Sequence, residues 1–131
     1  MAAESRTILL VDDDELVTES FATIFRGEGY DVAVARNGLE AVEVATARPF
    51  DVILLDVVLP GMDGVTTLEC LNKVSAGSRV MVLTGDGETE PQDLLALGAS
   101  AVIWKPPDIG ELLDRVARLS GATAAATVSA E

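Results

Sequence analysis

A chain of 131 residues is the size of one ordinary domain, and its 49% hydrophobic content is enough to bury a core without disulfides. A formal charge of −13 repels nucleic-acid phosphates, so nucleic-acid binding by this chain alone is not expected. The absence of histidine removes the commonest general base and metal ligand, leaving carboxylates, Lys, Thr and metal to carry any chemistry.

Thr7 to Val11 is an apolar run that reads as a first strand and delivers Asp12, Asp13 and Asp14 at its end. With Asp14 as N-cap, Glu15 to Arg26 follows as an amphipathic helix whose core face is Val17, Phe21, Ile24 and Phe25. At roughly 100° per residue, Leu16, Ser20 and Thr23 form a second stripe away from that face. Gly27 and Gly29 stop the helix, and Tyr30 to Ala35 alternates as a second strand. After an Asn37-Gly38 turn, Leu39 to Ala47 forms the second helix, ended by Pro49.

Val52 to Leu55 is the central strand, apolar throughout as a strand buried on both faces is, and Asp56 ends it. The Pro60-Gly61 turn leads to a third helix over Val65 to Val74, with Asp63 as its cap. Leu68 and Leu71 face inward, and Cys70 is expected to be an inert surface thiol. Val80 to Leu83 is a fourth strand delivering Thr84. A polar, mobile loop from Gly85 to Glu90 precedes a short helix from Pro91 to Leu97, which Gly98 ends. Ala101 to Trp104 is the fifth strand and delivers Lys105 and Pro106; the last helix, Ile109 to Leu119, has Leu112, Leu113, Val116 and Leu119 as its inner stripe.

Residues 1–120 thus read as one domain and 121–131 as a disordered tail or linker stub. No stretch approaches the roughly 18 apolar residues of a membrane span, and Met1 to Arg6 has no secretory apolar core, which predicts a soluble, cytoplasmic chain without membrane contact. Alternation of strands and helices predicts an α/β fold: a flavodoxin-like, doubly wound, five-stranded parallel sheet in the order 2-1-3-4-5. Parallel neighbours would bring the acidic, hydroxyl and amine groups together at the carboxyl edge, where such sheets bind ligands. Crowded carboxylates without His or Cys point to Mg²⁺ rather than zinc.

Asp12-Asp13, Asp56 followed by Leu59-Pro60-Gly61-Met62-Asp63-Gly64, Thr84 before Gly85, and Lys105-Pro106 together resemble the receiver domain of two-component response regulators, over about Arg6 to Leu119. The resemblance implies that Asp56 is the nucleophile of a phosphorelay switch, accepting a phosphoryl group from a histidine kinase or phosphotransfer protein. It implies that Asp13 and Asp56 bind Mg²⁺ directly, Asp12 through water, and Val58 by its backbone carbonyl. Thr84 and Lys105 would meet the transferred oxygens, and the Lys105-Pro106 bond would be cis. The kinase would dock near Leu16, Ser20 and Thr23. Such a chain acts on itself only and passes its signal to an unknown protein or to an output domain beyond residue 131.

Three positions depart from the pattern or tune it. Val102 stands where the family carries a switching aromatic, which favours a smaller rearrangement of Thr84 to Glu90. Val58 and Asp86 would flank the hydrolytic water. Two other functions compete. Asp12-x-Asp14 and Gly85-Asp86 echo haloacid-dehalogenase phosphatases, although Lys105 follows the second element where theirs precedes it. The other is a binding module that is never phosphorylated.

Overall fold

The computed structural model describes residues 6–56, 63–85 and 90–120. In chain order the elements are β1 (Thr7–Val11), α1 (Glu15–Gly27), β2 (Asp31–Ala35), α2 (Gly38–Ala47) and β3 (Val52–Asp56), then α3 (Gly64–Val74), β4 (Arg79–Thr84), α4 (Pro91–Ala96), β5 (Ala101–Trp104) and α5 (Ile109–Leu119). The strands form one parallel sheet in the expected order, 2-1-3-4-5. The helices start where short polar side chains satisfy their first amides: Asp14, Asn37, Asp63 and Asp108 each accept from the first turn of the helix that follows.

Alternate residues of the inner strands feed two cores, one on each face. Leu9, Val11, Ile53, Leu55, Val80 and Val82 pack with α2, α3 and α4. Ile8, Leu10, Val52, Leu54, Met81 and Leu83 pack with α1 and α5. Every residue of β3 is buried, as its uninterrupted apolar run requires.

Sequence and structure part company at a few places. The face that α1 buries is Thr18, Ala22 and Phe25; Val17, Phe21 and Ile24, expected there, are only half-buried on its flanks. Thr18 donates its hydroxyl to the Glu15 carbonyl at 3.1 Å, which satisfies its polar atom within the helix. Small Ala22 lets the helix lie close to the sheet. Tyr30 lies before β2 instead of within it, its ring edge-on to Phe25 at 5.6 Å. In α5, Leu112 and Val116 are buried, whereas Leu113 and Leu119 are half-buried. Two strands run one residue further than expected, taking Asp56 and Thr84 into the sheet. The Pro60-Gly61 turn, most of the loop before α4 and the 121–131 tail lie outside the described residues.

Charge is distributed unevenly along the strand direction. Arg6, Arg26, Arg48, Lys73, Arg79 and Arg118, six of the nine basic residues, lie where helices end and strands begin. Glu28, Asp31 and Asp51 share that end. Asp12, Asp13, Asp14, Glu15, Asp56, Asp63, Glu90 and Asp108 lie at the opposite, carboxyl edge, with Arg36 and Lys105.

Candidate functional site

β1 and β3 are direct neighbours, with Val11 beside Leu55, so the residues that follow them leave the sheet side by side. Asp12, Asp13 and Asp56 each offer a carboxylate oxygen, and the three oxygens lie within 4.8 Å of one another. Asp56 is 4% and Asp12 8% exposed, while Asp13 faces solvent. Asp12 is fixed from both sides: its amide donates to the Ala35 carbonyl at 3.1 Å, and its Oδ1 accepts the Asp14 amide at 2.9 Å.

Lys105 arrives from β5. Its Nζ lies 2.9 Å from Asp56 Oδ1, an ion pair in which the carboxylate is buried and the ammonium partly exposed. The Lys105 amide donates to the Thr84 carbonyl at 2.9 Å, tying the ends of β4 and β5 together, and the Lys105-Pro106 bond is cis as expected. Thr84 is fully buried at this edge. Gly85 is where the lysine stem passes: a Cβ there would lie 3.2 Å from Lys105 Cβ.

The structure therefore brings Asp12, Asp13, Asp56 and Lys105 together, with Thr84 joined to the lysine through the backbone. Val58 and Asp86 lie outside the described residues. Asp63 caps α3, accepting the Thr66 amide at 2.8 Å, as expected. Beside the site an open groove of about 690 Å³ runs between α1 and the Lys105-Pro107 turn. Leu16, 76% exposed, and Ser20 line it, but Thr23 does not; its hydroxyl bonds back to the Glu19 carbonyl. Val17 and Phe21 line it as well. Their apolar character had marked them as core, and only their position flanking the buried stripe distinguishes them.

The match to known proteins is decisive at this point. The family model described as "Response regulator receiver domain" matches residues 8–117. The chain belongs to the response regulator receiver family. This receiver domain is 37% identical over 110 residues to sporulation initiation phosphotransferase F of Bacillus subtilis, covering 83% of this chain and 89% of that one. It is 42% identical over 110 residues to the transcriptional regulatory protein CpxR homolog of Haemophilus influenzae; 83% of this chain is matched, but only 48% of that regulator, about half its length. Its fold matches the receiver domain of sensor histidine kinase PA1611 from Pseudomonas aeruginosa with a TM-score of 0.80 at 26% identity, covering 90% and 99% of the two chains; that structure holds a magnesium ion in its active-site cleft. Receiver domains are signalling domains, and this one is a phosphoacceptor switch of two-component systems.

The donor set of this receiver suits the same kind of ion. Hard carboxylate oxygens gathered within 4.8 Å of one another are the kind of donors that Mg²⁺ takes. In the absence of metal the cluster is costly. Burial, opposed by the Asp14 amide and reinforced by the charge of Asp56, raises the Asp12 carboxyl from 3.8 to about 6. A raised carboxyl binds its proton more tightly in the folded chain, so its contribution to stability is present at low pH and is lost as pH rises from about 4 to about 6. Asp12→Asn removes that loss. In chelator, the variant will gain thermal stability over the parent at pH 7 but not at pH 4, and an equal difference at both pH values would refute the assignment. Melting the parent with and without Mg²⁺ across this range should show stabilisation by the ion that is weaker below pH 6.

Proposed function

We propose that Asp56 is the phosphoacceptor of this receiver and that it takes its phosphoryl group from a histidine kinase or phosphotransfer protein. The observation that carries the reading is the buried Asp56 carboxylate, paired with Lys105 at 2.9 Å and crowded by two further carboxylates at the carboxyl edge of the sheet. An Asp56 oxygen forms the new O–P bond while the P–N bond of the donor phosphohistidine breaks, its electron pair returning to the imidazole. Lys105 neutralises charge on the transferred oxygens, and the Thr84 hydroxyl donates to the product. Asp13 and Asp56 directly, Asp12 through water and Val58 by its carbonyl would hold Mg²⁺, which would supply further positive charge to those oxygens when bound. The chain catalyses only its own phosphorylation and dephosphorylation.

In this reading residues 1–120 form the receiver, the donor docks over the groove beside Leu16 and Ser20, and the switch acts in the cytoplasm. The signal passes to a downstream protein or to an attached output domain of the kind its longer relatives imply. The reading is tested by intact mass after incubation with acetyl phosphate and Mg²⁺. Wild type should gain one phosphoryl group, and chelator or Asp56→Asn should abolish the gain. Labelling that survives Asp56→Asn but not Asp12→Asn would move the nucleophile to β1, as a haloacid-dehalogenase chemistry requires. No labelling in any sample would leave a binding module.

A further inference from the structure

The two ends of α4 are held very differently. At its start Glu90 makes no side-chain cap and Pro91 has no amide to give, so among the described residues the first turn is hydrogen-bonded only through the backbone, by the Glu90 carbonyl. At its end the Gly98 and Ala99 amides donate to the carbonyls of Leu95 and Leu94, closing the helix with the paired bonds of a left-handed glycine terminus. The carbonyl of Leu97 is met from another element. Asn72 of α3, half-buried, donates Nδ2 to it at 3.1 Å. Gly98, at φ +110°, is matched to this contact twice over: the backbone disfavours any side chain, and a Cβ would collide with Asn72 Nδ2. Two residues on, the Ser100 amide bonds to the Val80 carbonyl at 2.7 Å, and Leu94 is fully buried.

In sequence, Glu90 at the start of α4 comes only five residues after Gly85, which with Thr84 is at the site. We infer that Asn72 is the pivot of α4: it holds the Leu97 end fixed while the Glu90 end follows the site, confining the phosphorylation response to the first turn. Asn72 is a positioning residue. It touches neither Asp56 nor a donor, and it acts by setting where the response stops. The coupling to phosphorylation rests on the function proposed above; the pin itself does not.

The experiment is amide hydrogen exchange on the full chain, wild type, Asn72→Ala and Asn72→Asp, each with and without beryllium fluoride plus Mg²⁺. Asn72→Asp keeps the side-chain shape but sets a carboxylate against the Leu97 carbonyl. Without the mimic, both variants should lose about twofold to tenfold of protection at Leu97, Gly98 and Ala99, with β3 and α5 unchanged, in line with one lost hydrogen bond. Unchanged protection there overturns the pin. With the mimic, exchange in wild type should change from Glu90 to Leu94 and stop before Leu97, and in the variants the change should run through Ala99. A wild-type response that already includes Leu97 to Ala99, or a boundary unmoved in the variants, overturns the pivot. Absence of any response in wild type counts against phosphoacceptance instead, and the pin is then decided by the samples without mimic.

Discussion

Lys105→Met will label with acetyl phosphate roughly 10² to 10³ times more slowly than wild type at saturating Mg²⁺, the scale seen when one preorganised donor to developing charge is removed. Methionine keeps the stem that passes over Gly85, so the end of β5 and the cis peptide bond retain their packing. What is lost is the cation proposed to meet the transferred oxygens, 2.9 Å from the buried Asp56 carboxylate. Mg²⁺ binding should persist, because its proposed ligands are carboxylates and a carbonyl. Removing a competing cation from Asp56 will strengthen it if anything. The rate is read by the time course of intact mass and the affinity by thermal stabilisation with Mg²⁺. A labelling rate within about threefold of wild type would exclude Lys105 from the transfer, and loss of metal binding together with labelling would reduce it to a structural support.

Phe25→Ala should cost about 3–5 kcal/mol, the usual range for truncating a fully buried aromatic. Phe25 has no exposed surface, belongs to the core between the sheet and α1 with α5, and supports the edge-on ring of Tyr30. It also lies in the last turn of α1, where its carbonyl accepts the amides of Glu28 and Tyr30 that turn the chain into β2. A cavity there cannot be filled by α1 moving inward, because Thr18 and Ala22 already bring that helix close to the sheet. Urea denaturation followed by circular dichroism measures the loss. A change below 1 kcal/mol would mean that the region collapses around the deletion.

Most of the architecture was legible because local and global signals agree. Asp14, Asn37 and Asp63 cap helices that begin where the apolar period changes, and the continuous run of β3 states that both its faces are covered. Strand order and family resemblance then foretold the meeting of Asp12, Asp13, Asp56 and Lys105, although they are far apart in the chain. The misreadings have a common origin. A residue's type does not say which of two adjacent stripes of a helix meets the sheet. On α1 the apolar Val17 and Phe21 yielded the interior to Thr18 and Ala22, whose small size and internally bonded hydroxyl allow closer approach, and became walls of the groove instead. Thr23 shares Leu16's side of the helix by angle, but it lies nearly two turns along the axis and misses the groove. Nor could the sequence disclose that Asn72 meets Leu97, a contact that depends on how α3 and the turn after α4 abut.

The separation of charge along the strands changes what the formal −13 means. Helix α1 alone, at 13 residues, spans about 20 Å, more than twice the screening length of about 8 Å at physiological ionic strength. A molecule approaching one end is therefore shielded from the other and senses a local field, not the sum. The carboxyl edge draws in cations and surfaces rich in Lys and Arg, while the end carrying Arg6, Arg26, Arg48, Lys73, Arg79 and Arg118 is far less repulsive to anions than the total suggests. A basic partner is turned to face Asp56 during diffusion, before any side chain touches, so raising the salt concentration should slow productive encounters more than it weakens the complexes once formed.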